Sequence, residues 1–199
     1  MRAAHSDSGT RRGGLRTRLN VLLASSRSVA GLLDHGDVRM SDFLNSGLQS
    51  VIRLTDARLG RLGNERANEP VEVAVVPKSQ VALVYAQHEL VRPADRRISL
   101  FVPKQTTGLL VLVAGLRIRG HAHSTAALDP VELSRLVADR ESRFVVLTDA
   151  RLSLDVEGVT EREVGVVMVN AVHIQFVAHD AIVAKSAAAD PQPTALAAE

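Results

Sequence analysis

The sequence Leu54-Thr55-Asp56-Ala57-Arg58-Leu59 returns unchanged as Leu147-Thr148-Asp149-Ala150-Arg151-Leu152. These two segments, here called the hexapeptide repeats, are 93 residues apart in a chain of 199 residues. A repeat at about half the chain length indicates that one structural unit is encoded twice.

Apolar positions around the hexapeptide repeats keep the same 93-residue shift from residue 39 to about residue 84. Farther upstream, Val21–Ala24 matches Val111–Ala114 after an offset of three residues. The matched apolar residues are Met40, Phe43 and Leu44 with Leu133, Leu136 and Val137, Val51 and Ile52 with Phe144 and Val145, and Val71, Val73 and Val75 with Val164, Val166 and Met168. We therefore expect two tandem copies of one fold.

Each copy contains one helical pattern. Met40, Phe43, Leu44 and Leu48 are apolar residues at the spacing of one face of a short helix. Asp37 is positioned to cap its start, and Asn45-Ser46-Gly47 to end it. In the second copy, Asp129-Pro130-Val131-Glu132 is typical of a helix start, with Asp as the cap, Pro in the first turn and Glu as the capping-box partner.

The other apolar runs predict strands. Val51–Leu54 is predicted to be a strand that ends at the hexapeptide, followed by a polar loop over Gly60–Pro70. Apolar residues alternate in Val71–Val75 and return in Val81–Tyr85, and Pro77–Gln80 between them is typical of a tight turn. We expect these segments to pair as a β-hairpin, and the second copy repeats the pattern.

The expected fold is α+β and mainly β, with two tandem copies related by a pseudo-twofold axis. Each copy is expected to form a small antiparallel sheet or partly open barrel with one short helix. The predicted boundaries are 1–18 for a disordered basic arm, 19–90 for the first copy, 91–108 for a connector with one strand at Ile98–Val102, 109–184 for the second copy and 185–199 for a disordered tail.

The aspartates of the hexapeptide repeats, Asp56 and Asp149, have two interpretations. We favour a structural one, in which the carboxylate accepts backbone N–H groups in a turn at the end of a strand. In the alternative, Asp56 and Asp149 form a symmetric acidic site at the interface between the copies.

Arg117, Arg119, His121 and His123 occupy alternate positions of one segment. On an extended strand they share one face, which we call the basic stripe. Of the corresponding first-copy positions, only Arg27 is charged. The stripe is suited to contact a phosphate, a carboxylate or an RNA backbone. The alternative is an ordinary solvent-facing side of an antiparallel sheet.

His121 and His123 are also spaced for a metal site, with His173, His179 or an aspartate as a third ligand. The sequence has no HExxH or Gly-x-Ser-x-Gly motif and no glycine-rich loop followed by Lys and Ser/Thr. We therefore expect no cofactor, and the sequence favours a non-enzymatic protein over a metal-dependent enzyme.

The composition narrows the possible classes of protein. The chain has no cysteine, which excludes disulfides and Cys-ligated metals and fits the reducing cytoplasm, where we expect the protein to reside. Aromatic residues are 3% of the chain, so there are few rings for stacking with bases. The longest apolar run, Leu109–Leu116, is far shorter than the roughly 20 residues of a membrane-spanning helix, so no membrane contact is expected.

The segment Arg39-Met40-Ser41-Asp42-Phe43-Leu44-Asn45, followed by the first hexapeptide and a Val-rich stretch, resembles uncharacterised bacterial domains with the pattern Leu-Ser-Asp-x-Leu-Asn … Leu-Thr-Asp-Ala. Met40 replaces the leucine of that pattern, and Leu133-Ser134-Arg135-Leu136 in the second copy lacks its aspartate. The resemblance implies a small β-rich domain without an assigned activity, present twice.

Three functions remain open on the sequence. The first is a non-enzymatic, duplicated β-rich module that works by binding an unknown protein partner or by self-association. The second is a nucleic-acid or anion binder that uses the basic stripe and the basic N-terminal arm. The third is a metal-dependent enzyme.

Overall fold

Ten antiparallel strands form a single sheet in the computed structural model of the protein. The structure describes residues 15–36, 38–61, 64–86, 104–125, 128–138, 143–154 and 161–180. The strands are β1 (Leu15–Leu23), β2 (Arg27–Gly36), β3 (Val51–Arg61), β4 (Asn64–Pro77), β5 (Val81–Ala86), β6 (Gln105–Val113), β7 (Leu116–Ser124), β8 (Phe144–Leu154), β9 (Arg162–Asn170) and β10 (Ile174–His179). The prediction of a mainly β chain is confirmed.

Two α-helices and two 3₁₀ turns complete the described part of the chain. The helices are α1 (Met40–Asn45) and α2 (Pro130–Ala138), and the 3₁₀ turns are Lys78–Gln80 and Ala171–His173. Residues 15–86, here the first half, and residues 104–180, the second half, therefore show one order of elements: strand, strand, helix, strand, strand, 3₁₀ turn, strand.

The order of strands in the sheet is β10-β6-β7-β8-β9-β5-β1-β2-β3-β4. The strands that were expected in two small sheets or barrels thus lie side by side in one sheet that is not closed. The two halves meet where β9 pairs with β5, which we call the junction. Among the described residues, β10 and β4 are the two ends of the sheet.

The predicted β-hairpins are wrong. β4 pairs with β3, whereas β5 pairs with β1 and β9, and in the second half β10 pairs with β6 rather than with β9. Each 3₁₀ turn carries the chain to the opposite edge of its half. Two apolar strands joined by a short turn suggest direct pairing, but alternation identifies strands without naming their neighbours.

The predicted loop over Gly60–Pro70 is also wrong. β3 continues through the hexapeptide to Arg61, and β4 begins at Asn64 and pairs with it. Backbone hydrogen bonds of the ladder are independent of side-chain polarity, so a polar sequence can extend a strand pair beyond the core. β1 likewise begins at Leu15, inside the expected disordered arm.

One predicted end of each helix is confirmed. Asp129 caps α2 as expected, since its Oδ1 accepts the backbone N–H groups of Val131 at 2.8 Å and Glu132 at 2.9 Å. α1 ends at Asn45, as the predicted stop at Asn45-Ser46-Gly47 requires, so Leu48 lies outside the helix and is exposed. The expected cap Asp37, the connector strand at 98–102 and the C-terminal tail lie outside the described residues.

Two clusters of buried apolar residues form the core, and each takes residues from both halves. Leu22, Ala82 and Leu83 of the first half pack into the cluster of the second half. Phe144 and Met168 of the second half pack into the cluster of the first half. Because β5 carries side chains into both clusters, the junction joins the two cores as well as the two sets of strands.

Candidate functional site

Each hexapeptide repeat lies inside a strand and forms a β-bulge. In the first half, Thr55 is opposite Leu32 and Arg58 is opposite Ala30, so two residues of β3 face the single residue Gly31 of β2. Asp56, within this bulge, has a left-handed φ of 47°. Asp149 has a φ of 49° at the same place in β8. The expected turn at the end of a strand is therefore a bulge in mid-strand, where Asp tolerates positive φ better than most residues.

A glycine lies opposite each bulge, where the neighbouring strand leaves little room for a side chain. A Cβ atom at Gly31 would lie 2.9 Å from Leu54 Cβ, and one at Gly120 would lie 3.0 Å from the Thr148 carbonyl oxygen. Side chains at these two positions would push the paired strands apart. The bulge and the glycine opposite it thus occur together in each half of the sheet.

The two aspartates line separate grooves. Asp56 lines one of about 620 Å³ between β3 and β4 and forms an ion pair with Arg18. Asp149 lines one of about 430 Å³ between β8 and β9, and its Oδ2 lies 3.4 Å from His121 Nδ1. Asp56 lies on β3 and Asp149 on β8, and four strands separate β3 from β8 in the sheet, so the two aspartates do not lie on neighbouring strands.

The basic stripe lies on β7, where buried and more exposed residues alternate as expected. Arg119 Nε is 3.1 Å from Asp180 Oδ2, and its Nη1 is 3.9 Å from Glu161. His123 Nε2 lies 2.8 Å from Thr148 Oγ1. Carboxylates near the stripe therefore offset part of its charge, and a hydroxyl group hydrogen-bonds to His123.

The strand register changes which first-half residues correspond to the stripe. Arg119 is opposite Arg151, and Ala30 is opposite Arg58, so Ala30 occupies the place of Arg119. The correspondence through Arg27 is one residue out of register, because the turn between β1 and β2 is one residue longer than that between β6 and β7. The corresponding first-half residues are Ser28, Ala30, Leu32 and Asp34.

The described residues contain no group of three or more His, Cys, Asp or Glu side chains that could hold a metal ion. His173, one of the suggested third ligands, instead contacts the Ser79 carbonyl oxygen at 2.6 Å through Nε2. Within the same described ranges, no helix is long and apolar enough to cross a membrane.

The junction is a candidate site that sequence reasoning missed. Leu83, Val84 and Tyr85 of β5 are opposite Val169, Met168 and Val167 of β9. Beside this ladder, the buried Asn170 side chain donates to the carbonyl oxygens of Lys78 at 3.2 Å and Val81 at 3.0 Å. Its Oδ1 accepts the Val172 N–H. The amide thus ties the end of β9 to the start of β5.

A second amide joins the halves at α1. Asn45 Nδ2 donates to the Phe144 carbonyl oxygen at 3.1 Å, and Asn45 Oδ1 accepts the Phe144 N–H at 2.7 Å. This paired contact fixes the end of α1 against the start of β8. The only signals of these two amides in the sequence are departures from the repeat, since Asn170 matches Pro77 and Asn45 matches Ala138 at the 93-residue shift.

Lys78 supports the same region. Its Nζ donates to the carbonyl oxygens of Phe43 at 2.9 Å and Ser46 at 3.0 Å, and lies 5.3 Å from the centre of the Phe43 ring. The side chain therefore satisfies carbonyl groups at the end of α1. Burial lowers the pKa of Lys78 from its usual value, because the charged form loses hydration.

The two ends of the sheet form a second candidate site. On β4, Val75 is 60% exposed, whereas Met168 at the matching place on β9 is 5% exposed. On β10, Phe176 is 47% exposed, whereas Leu83 at the matching place on β5 is fully buried. Large apolar side chains are thus exposed at both ends of the sheet, in the same places that the junction buries.

No protein-family model, curated protein or solved structure matches the chain. The geometry of the junction and of the sheet ends is therefore what supports a function.

Proposed function

We propose that this chain is a non-enzymatic, duplicated β-rich module that works by assembly or binding through the ends of its sheet. One observation carries the proposal: both end strands present large apolar side chains, Val75 on β4 and Phe176 on β10, in places that are buried at the junction. Unpaired strand edges with exposed apolar residues are sites at which another strand can add to a sheet.

Duplication is part of the proposal. It is supported by the identical order of elements in the two halves, the shared order of their strands in the sheet and the bulge at each hexapeptide repeat. The pseudo-twofold axis stays a prediction. A twofold axis that exchanges the two halves would turn the β9–β5 pair into a β4–β10 pair, because β9 matches β4 and β5 matches β10. Such an axis therefore also requires β4 to pair with β10. Location in the cytoplasm belongs to the same proposal and rests on the absence of cysteine.

The test combines size-exclusion chromatography with light scattering and a pull-down with the full chain. We expect either a mass above one chain, which is 21.4 kDa, or a protein partner that is retained at a fixed ratio. A monomer that retains no partner at any concentration tested would contradict the proposal.

A second candidate function is the binding of nucleic acid or another polyanion. It is favoured by the position of Arg117, Arg119, His121 and His123 along one strand, although nearby acids offset part of their charge. Affinity for RNA or DNA should then fall with salt and weaken when Arg117 and Arg119 are both changed to Ala. The same double change leaves affinity unaltered if the N-terminal arm alone binds. Arg53→Ala combined with Arg58→Ala on β3 removes two exposed charges outside the stripe and the arm, and serves as the control.

A further inference from the structure

We propose that the β4 edge of one chain pairs with the β10 edge of a second copy of the same chain, head to tail, in the register of the junction. The inference rests on the proposed function and names its partner. At the junction, a strand that matches β4 already pairs with a strand that matches β10, and we expect β4 and β10 of two chains to pair in the same way.

The junction defines which residues would meet. Its three pairs are Leu83 with Val169, Val84 with Met168 and Tyr85 with Val167. Because β4 matches β9 and β10 matches β5 at the 93-residue shift, the same contact between two chains pairs the following residues: Phe176 with Val76, Val177 with Val75 and Ala178 with Ala74. Each of these positions is apolar, so the new strand pair would bury no unpaired charge within the ladder.

The exposed side chains at the two ends correspond to buried ones at the junction. Phe144, which is 2% exposed, packs into the first-half cluster from the second half, and its counterpart Val51 is 37% exposed. Met168 likewise packs into the first-half cluster, and Leu83 of the first half packs into the second-half cluster. Their counterparts Val75 and Phe176 are exposed. Addition of a second chain would bury all three exposed residues, which removes apolar surface from water.

The contact joins two different edges, so its symmetry is head to tail. Each chain has one β4 edge and one β10 edge, and pairing β4 with β10 leaves one of each free in the two-chain product. Such heterologous contacts continue until they close a ring or form a filament. A contact between like edges would instead stop at a dimer.

Two amides that join the halves have no hydrogen-bonding counterpart at the ends, whereas the imidazole of His173 is replaced there by an amide side chain. Pro77 stands in place of Asn170, Gln80 in place of His173 and Ala138 in place of Asn45. Since those amides and the imidazole add polar contacts at the junction, the contact between chains relies mainly on the strand ladder and apolar burial. It should therefore be reversible and depend on concentration.

The experiment blocks one edge at a time. Val75→Arg places a charge on β4, and Phe176→Arg places one on β10. Val166→Arg is the matched control, because Val166 is an exposed valine on β9, a strand already paired on both sides. Light scattering of the full chain should show wild type and V166R with masses that rise with concentration above 21.4 kDa, and each edge variant alone as a monomer.

Mixing the two edge variants gives the decisive result. A V75R chain keeps its β10 edge and an F176R chain keeps its β4 edge, so an equal mixture should form a species of two chains and no larger one. Recovery of this species also shows that both variants are folded. Contacts between like edges would not produce this pattern.

A cross-link tests the register independently. The natural chain has no cysteine, so Val75→Cys in one chain and Val177→Cys in another introduce the only thiols. Under mild oxidation this mixture should give a linked dimer, whereas V75C mixed with Val166→Cys should not.

Several results would overturn the inference. The inference is wrong if the wild-type chain stays a monomer at high concentration. If that monomer binds a specific partner of other chemistry, the proposed function still stands. Self-assembly that survives both Arg substitutions also overturns the inference, because another surface must then be used. A monomer without any partner overturns the inference and the proposed function together.

Discussion

The junction and the two ends of the sheet use matching strands but hold them differently. At the junction, β5 lies between β1 and β9 and sends side chains into both core clusters. At the ends, β4 and β10 each have one strand neighbour among the described residues, and Val75 and Phe176 remain exposed. The junction and the sheet ends thus both carry apolar residues, but they differ in their polar contacts.

The difference predicts that the proposed contact between chains is weaker than the junction. Asn170 and Asn45 add hydrogen bonds only at the junction, where each bond to a partly or fully buried backbone group is worth about 0.5–1.5 kcal/mol. The covalent link between the halves further favours that contact, because it makes the association intramolecular. The ends have neither advantage.

The largest contrast should come from truncating matching apolar residues. Leu83→Ala at the junction removes a fully buried side chain and should lower the free energy of unfolding by about 2–5 kcal/mol. Phe176→Ala at the end of the sheet should lower it by only about 1 kcal/mol, since about half of the side chain is already exposed.

Urea unfolding at a low protein concentration, where assembly does not contribute, measures both values. The same Phe176→Ala variant should lose self-association in light scattering. Equal losses of stability in the two variants would show that the sheet end is already buried in the single chain.

The sequence allowed the repeated elements to be predicted because side-chain periodicity records which faces are buried. The mainly β fold, α2 with its Asp129 cap and the alternating face of β7 were all found in this way. Periodicity carries no information about neighbours in the sheet. Pro77–Gln80 and Asn170-Ala171 therefore have the sequence of hairpin turns, although the chain leaves each of them for the far edge of its half.

The functional site was harder to predict for a related reason. A repeat draws attention to what the two copies share, and the shared hexapeptide proved to form a bulge. The junction depends instead on residues that the copies do not share, such as Asn170 against Pro77. A single amide on a strand end is unremarkable until the adjacent strand is known, so its role could not be inferred from one sequence.

Removal of the Asn170 amide should have the next largest effect. Asn170→Ala leaves the carbonyl oxygens of Lys78 and Val81 without this donor in a buried place and should cost about 1–3 kcal/mol of stability. Urea unfolding provides the measurement, and Gln175→Ala, at an exposed position of β10, is the control. A cost no larger than that of the control would mean that the apolar ladder alone holds the junction.

The converse change should strengthen contact between chains. Pro77→Asn supplies at the sheet end the amide that Asn170 provides at the junction, within reach of the Ala171 and Ile174 carbonyl oxygens of a second copy in the proposed register. A gain of about 1 kcal/mol would lower the dissociation constant by about fivefold. Sedimentation equilibrium measures it, with Pro70→Asn elsewhere on β4 as the control. If P77N weakens assembly instead, the register of the junction does not apply between chains.

The smallest effect concerns the pH dependence of stability at Lys78. Burial lowers the pKa of Lys78 in the folded protein, so between this pKa and the unfolded value of about 10.4 the unfolded chain binds more protons. The free energy of unfolding should then rise with pH through that interval. Lys78→Met removes the titrating group, so wild type should gain stability relative to K78M as the pH increases towards about 10. Urea unfolding of both proteins at several alkaline pH values measures this difference in stability. If the difference stays constant or falls as the pH rises, the hydrogen bonds to Phe43 and Ser46 fully compensate the ammonium group for its lost hydration.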